Sequence, residues 1–119
     1  MNINMSLIKK ILGSIPSKRI TSLGTAFKPN TDDVRDSKSI ELIKKLLKNK
    51  AQITIHDPKA IENTQKIFGE KILYAKSIAN ALNKSQCVII MTHWKQYDTL
   101  NNNSILSNCV NLSLAVTFA

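Results

Sequence analysis

Residues 19–57 read RITSLGTAFKPNTDDVRDSKSIELIKKLLKNKAQITIHD. An apolar-rich run, Arg19 to Leu23, comes first and reads as a strand. Gly24 follows, where the chain can turn without a Cβ. From about Ser37 to Asn49 the apolar residues Ile40, Ile43, Leu46 and Leu47 fall on one helical stripe. Gln52, Thr54 and His56 then alternate with Ile53 and Ile55, the period of a strand. Strand, helix, strand is the unit of a parallel sheet, because parallel neighbours need a crossover. With a right-handed crossover this predicts an α/β, Rossmann-like three-layer domain.

The link from the first strand to the helix, GTAFKPNTDDVRDS at 24–37, is unusual. Such connections take ~2–6 residues, and this one is more than twice as long. It carries Lys28, Arg35 and three aspartates, and it leaves the carboxyl end of a strand, where open α/β sheets place their ligands. Lys28 supplies a mobile point charge suited to a phosphate or sugar oxygen. Arg35 supplies a planar fork suited to a phosphate or carboxylate. Asp32 and Asp33 are candidates to orient those cations. The same residues also suit a surface loop whose charges pair among themselves. A single glycine is no G-x-G-x-x-G fingerprint, so a tight pyrophosphate turn is not encoded here and side chains must do the binding.

Outward from this unit the alternation continues. Met5, Leu7, Ile8, Ile11 and Leu12 form a helical stripe that Gly13 ends. Beyond His56, Asp57-Pro58 closes the strand. Asp57 stands where a Rossmann fold keeps its ribose acid, though a turn or helix start explains it equally well. A helix is expected over 60–68, a short strand over 71–74, a helix over 77–83 and a strong strand over 86–92. The last is apolar throughout, as for a strand buried on both faces. A helix over 103–107 and a strand over 110–116 bring the sheet to about five strands, with an N-terminal helix before it. His93 and Trp94 follow the strong strand at the loop's own edge, and Trp94 is expected to pack.

The 119 residues, 43% hydrophobic and 21% charged, suit one folded domain. The longest apolar run, Val88 to Met91, is too short for a bilayer, and no secretory signal pattern opens the chain. A cytoplasmic protein is expected. Cys87 and Cys109 lack metal-type spacing; Cys87 reads as a buried thiol, and neither as a nucleophile. The net charge of +9 attracts anions. Twelve of the seventeen basic residues lie within 1–59, mostly solitary lysines on helix faces. No aromatic platform alternates with them, which argues against nucleic acid.

The run LGTAFKPNTDDVRD at 23–36 resembles the opening of the C-terminal, UDP-sugar-binding domain of UDP-glucose/GDP-mannose dehydrogenases, UDP-glucose 6-dehydrogenases above all. The likeness continues through SIELIKKLLKNKAQITIHDP to CVIIMTHWKQY at 87–97, and MSLIKKILG at 5–13 resembles the end of the long helix before that domain. The resemblance implies residues 1–17 as the end of an interdomain helix and linker, and 18–119 as the UDP-sugar-binding domain. It implies that Phe27 and Lys28 contact the UDP-sugar and that Arg35 reaches an NAD held by an N-terminal domain. The family reaction oxidises the C6 alcohol of the sugar to a carboxylate in two hydride transfers to NAD.

Departures bound the expectation. The NAD domain, the catalytic cysteine segment and the family's Asp-x-Arg-Asn motif have no counterpart here; no arginine follows Arg35. The chain is therefore expected to be inactive alone, to bind no NAD by itself, and to have a truncated or altered C-terminus. The expected partners are a UDP-sugar and an N-terminal dehydrogenase half or homologous subunit, with no membrane. The alternative is a stand-alone nucleotide- or protein-binding module, or a degraded remnant, without catalysis.

Overall fold

Alternation along the strands decides which face meets which helix. A computed structural model describes residues 4–97 of the chain. Its elements are α1 (Met5–Leu12), β1 (Arg19–Leu23), α2 (Lys38–Lys48), β2 (Gln52–His56), α3 (Ile61–Phe68), β3 (Leu73–Tyr74), α4 (Ile78–Leu82) and β4 (Cys87–Ile90). The strands form one parallel sheet in the order β3-β2-β1-β4, with Ile20 opposite both Ile53 and Cys87, and Leu23 opposite both His56 and Ile90. The fold is thus the expected α/β sheet with flanking helices. Four strands are described; the helix expected over 103–107, the strand over 110–116 and Cys109 lie outside the described residues.

One sheet face carries Ile20, Ile53, Ile55, Cys87 and Ile89 against Ile8 of α1 and Ile40, Ile43 and Leu46 of α2. The other carries Leu23, Val88 and Ile90 against Ala81 and Leu82 of α4, with Trp94 and Tyr97 closing the cluster. β4 is buried on both faces, which is why its sequence does not alternate. Asn4 caps α1 by accepting from the Leu7 N–H at 2.9 Å, and Gly13 ends it at φ 81°.

Two boundaries differ from expectation. Residues Gly69–Lys71 form a 3-10 turn, so β3 keeps just two residues. β4 stops at Ile90 because the N–H groups of Met91 and Thr92 both turn onto the Leu23 carbonyl, at 2.8 and 3.5 Å. Ser37 stands at the N-cap of α2 but its hydroxyl makes no capping bond. No helix among the described residues is long and apolar enough to cross a membrane.

Candidate functional site at the carboxyl edge of the sheet

The carboxyl ends of β1, β2 and β4 meet at Gly24, Asp57 and the 91–97 turn. Gly24 sits at φ +95°, and a Cβ there would lie 2.4 Å from the Cβ of Thr92. Only glycine lets the loop leave β1 so close to the end of β4. The Gly24 N–H donates to the His56 carbonyl at 2.7 Å, and its own carbonyl accepts from the Ser39 hydroxyl at 2.9 Å. The loop's exit and the start of α2 are thereby tied together.

The next two residues are clamped. The N–H groups of Thr25 and Ala26 donate to Asp57 Oδ2 at 2.8 and 3.1 Å, and the Ala26 carbonyl accepts from the Thr92 hydroxyl at 2.7 Å. Beyond them the chain swings out and returns. The Phe27 N–H donates to the Asp33 carbonyl at 2.9 Å, closing a lobe over 27–33. Asn30 takes a positive φ at its tip. The Asn63 amide of α3 donates to the Asp32 carbonyl at 2.8 Å and steadies the outer side.

This closure sets Phe27-Lys28 at one foot of the lobe and Asp33-Arg35 at the other. Phe27 is 47% exposed, and the Lys28 ammonium lies 5.3 Å from the centre of its ring. Among the described residues no ion pair engages Lys28. Arg35 is paired. Its Nε lies 3.0 Å from Asp33 Oδ1 and its Nη2 2.7 Å from Asp33 Oδ2, while its backbone N–H donates to Oδ1 at 2.9 Å. The guanidinium holds the Asp33 carboxyl down at about 2, and Asp33 in turn raises Arg35. The pair is side-on, through Nε and Nη2, so the outer edge bearing Nη1 still faces solvent on a side chain that is 87% exposed. Asp32 is exposed and joins neither cation in an ion pair among the described residues. An open hollow of about 490 Å³ lies beside the lobe, lined by Asn30, Thr31, Asp32 and Lys59.

The polar and aromatic residues beyond the loop have other work. Asp57 is buried, and its two oxygens accept five N–H groups. That removes the ribose-acid option and favours the helix-start one: Oδ1 takes the N–H groups of Lys59 and Ala60 at 2.9 and 2.8 Å, just ahead of α3. His56 Nδ1 lies 2.8 Å from the Tyr97 hydroxyl, which donates to the His56 carbonyl at 2.9 Å. With that proton on the carbonyl, the imidazole donates from Nδ1. Burial lowers the imidazole and raises the Tyr97 phenol. Trp94 packs, and its indole N–H donates to Asp57 Oδ2 at 3.1 Å. Burial pushes the Cys87 thiol up to about 11, which suits a core thiol. No group of three or more His, Cys, Asp or Glu able to hold a metal occurs among the described residues.

Sequence reading missed two features: Tyr97 as the partner of His56, and the Phe27–Asp33 closure that gives the lobe its shape. Neither has a local signal, since each joins positions through backbone atoms or distant elements.

Known proteins align with this arrangement. Residues 21–116 match the UDP-glucose/GDP-mannose dehydrogenase family, UDP binding domain. A UDP-glucose 6-dehydrogenase of Rickettsia bellii is 38% identical over 94 residues, covering 78% of this chain and 22% of that protein. One from Haloferax volcanii is 40% identical over 88 residues, covering 74% of this chain and 20% of its own length. The solved structure of a UDP-glucose dehydrogenase from Pyrobaculum islandicum superposes with a TM-score of 0.76 at 38% identity, over 78% of this chain and 22% of that one. The chain thus spans about a fifth of the length of the relatives it matches.

Proposed function

Since this chain belongs to the UDP-glucose/GDP-mannose dehydrogenase family, through that family's UDP-binding domain, we propose that its carboxyl-edge lobe grips the UDP-sugar of a UDP-glucose 6-dehydrogenase. Residues 18–119 are its C-terminal domain, and 1–17 the end of the interdomain helix and linker. The observation that carries this reading is the closed lobe. It presents Lys28, a cation without an ion-pair partner among the described residues, on an exposed aromatic ring at the sheet edge where α/β folds hold ligands.

Each side chain has a distinct part. The Lys28 ammonium offers charge to the diphosphate or a sugar oxygen, and Phe27 offers an apolar face beside it. Arg35, held side-on by Asp33, keeps its outer edge for a phosphate of the dinucleotide carried by the N-terminal domain. Asp33 fixes the fork's direction, and Asp32 sets the shape of the lobe through its backbone. NAD, when present, supplies hydride acceptance for oxidation of the C6 alcohol to a carboxylate. Closure of the two domains would keep water from the reacting carbon.

On this reading the chain alone binds UDP-glucose without oxidising it. Calorimetry with UDP-glucose tests the binding, and Lys28→Ala is expected to weaken it about tenfold, ~1.4 kcal/mol. An unchanged affinity in that variant overturns the role of Lys28. The chain mixed with NAD and UDP-glucose is expected to give no rise in NADH absorbance. The Arg35–Asp33 contact also favours a second reading, a stand-alone module in which Arg35 serves the loop through Asp33 and meets no dinucleotide. That reading predicts that UDP-glucose binding is indifferent to Arg35→Ala even when the N-terminal half and NAD are supplied.

A further inference from the structure

Five N–H groups converge on one buried carboxylate. Asp57 Oδ2 accepts from Thr25 N at 2.8 Å, Ala26 N at 3.1 Å and Trp94 Nε1 at 3.1 Å. Oδ1 accepts from Lys59 N at 2.9 Å and Ala60 N at 2.8 Å. A carboxylate has about four lone-pair sites, so Asp57 has no capacity left for a ligand hydroxyl. It is also just 2% exposed. Its donors come from three separate stretches: the start of the ligand loop, the start of α3 and the turn after β4.

The clamp lies immediately before the lobe. Thr25 and Ala26 are gripped on their N–H side by Asp57 and on the Ala26 carbonyl side by Thr92. The next residues are Phe27 and Lys28. Phe27 and Lys28 are therefore aimed by a backbone segment that Asp57 holds. Displacements of about 1 Å are enough to lose much of a positioned interaction.

We propose that Asp57 is a positioning residue for nucleotide-sugar binding: its Oδ2 fixes the root of the lobe and locks it to the 91–97 turn through Trp94. The proposal rests on the reading that the lobe holds the UDP-sugar. Asp57 never touches the ligand; it acts through Thr25 and Ala26 on Phe27 and Lys28.

The test uses the full chain labelled with 15N, as wild type and as Asp57→Ala, which removes both acceptor oxygens. Amide exchange is expected to quicken about tenfold at Thr25 and Ala26, while the Ile53 and Ile55 ladder amides stay protected. The indole N–H resonance of Trp94, the one tryptophan of the chain, should move as its acceptor is lost. UDP-glucose affinity should fall about tenfold. Unchanged exchange at Thr25 and Ala26 overturns the proposal. So does uniform loosening of the whole sheet, which marks a merely structural residue. If Asp57→Ala does not fold, Trp94→Phe removes one donor and keeps the packing; it must still quicken exchange at Thr25 and Ala26, and failure to do so overturns the lock. A wild-type chain that does not bind UDP-glucose sinks the substrate reading alone, and the exchange data still decide whether Asp57 sets the root of the lobe.

Discussion

Two aspartates at the same sheet edge live in opposite settings. Asp57 is buried and is answered entirely by N–H groups, four backbone and one indole. Asp33 stands on the lobe and is answered by the guanidinium of Arg35, which is 87% exposed. The buried carboxylate holds architecture, because four of its five donors would otherwise be left without a partner in the interior. The exposed one holds direction, because a solvated ion pair adds little stability yet still orients a fork. A charged residue in a binding region is thus read by what surrounds it more than by its type.

The largest effect that sharpens this contrast comes from Asp57→Ala. Orphaning several buried N–H groups is expected to cost about 3–5 kcal/mol, a large part of a small domain's stability. Urea unfolding followed by Trp94 fluorescence measures it. A loss within the range of ordinary surface substitutions would erase the distinction between the two aspartates.

A middle-sized effect concerns His56, the residue beside Asp57 on the buried side. Burial holds its imidazole below the ordinary 6.5, with the Asp57 charge partly opposing. The unfolded chain therefore takes up this proton first. Stability is full above pH 6.5 and falls as pH drops from there toward the lowered native value. Melting temperatures across that range should slope downward in acid for the wild type. The substitution His56→Asn, which places an amide able to face the Tyr97 hydroxyl, should flatten the slope.

The smallest effect belongs to Asp33. Its carboxyl is expected to titrate at about 2, so its share of stability is present above the ordinary 3.8 and is lost as pH falls toward 2. A side-chain NMR titration should show this, and Arg35→Ala should return the midpoint toward the ordinary carboxylate range. Melting in neutral buffer should barely register Asp33→Asn. A large melting change would mean that the exposed pair carries architecture after all.

How far the sequence told this story follows from how far apart the partners lie. The alternation of Gln52 and Thr54 with Ile53 and Ile55, and the unbroken run at Cys87–Ile90, are local patterns, and both gave the right element. The Asp33–Arg35 pair spans two positions, and an orienting aspartate near Arg35 was foreseeable. The Asp57 cluster joins residues 31 to 37 positions apart, save for its helix-start bonds, and no periodicity encodes such distances. The end of β4 was overrun because Thr92 has a strand-forming side chain; its hydroxyl is instead spent on the Ala26 carbonyl. The short β3 was overestimated because Gly69–Lys71 coils into a 3-10 turn before it.

The opposite, amino edge of the sheet supplies the control. A groove of about 410 Å³ lies there, lined by Arg19, Gln52, Glu70 and Lys71 among others. It has cations and an apolar wall. Titrating the 15N-labelled chain with UDP-glucose and mapping amide shifts compares the two edges in one measurement. Shifts gathered at residues 25–35, with the amino edge silent, are the predicted result. Shifts gathered at Arg19, Gln52 and Lys71, or none at any position under saturating ligand, would contradict the account.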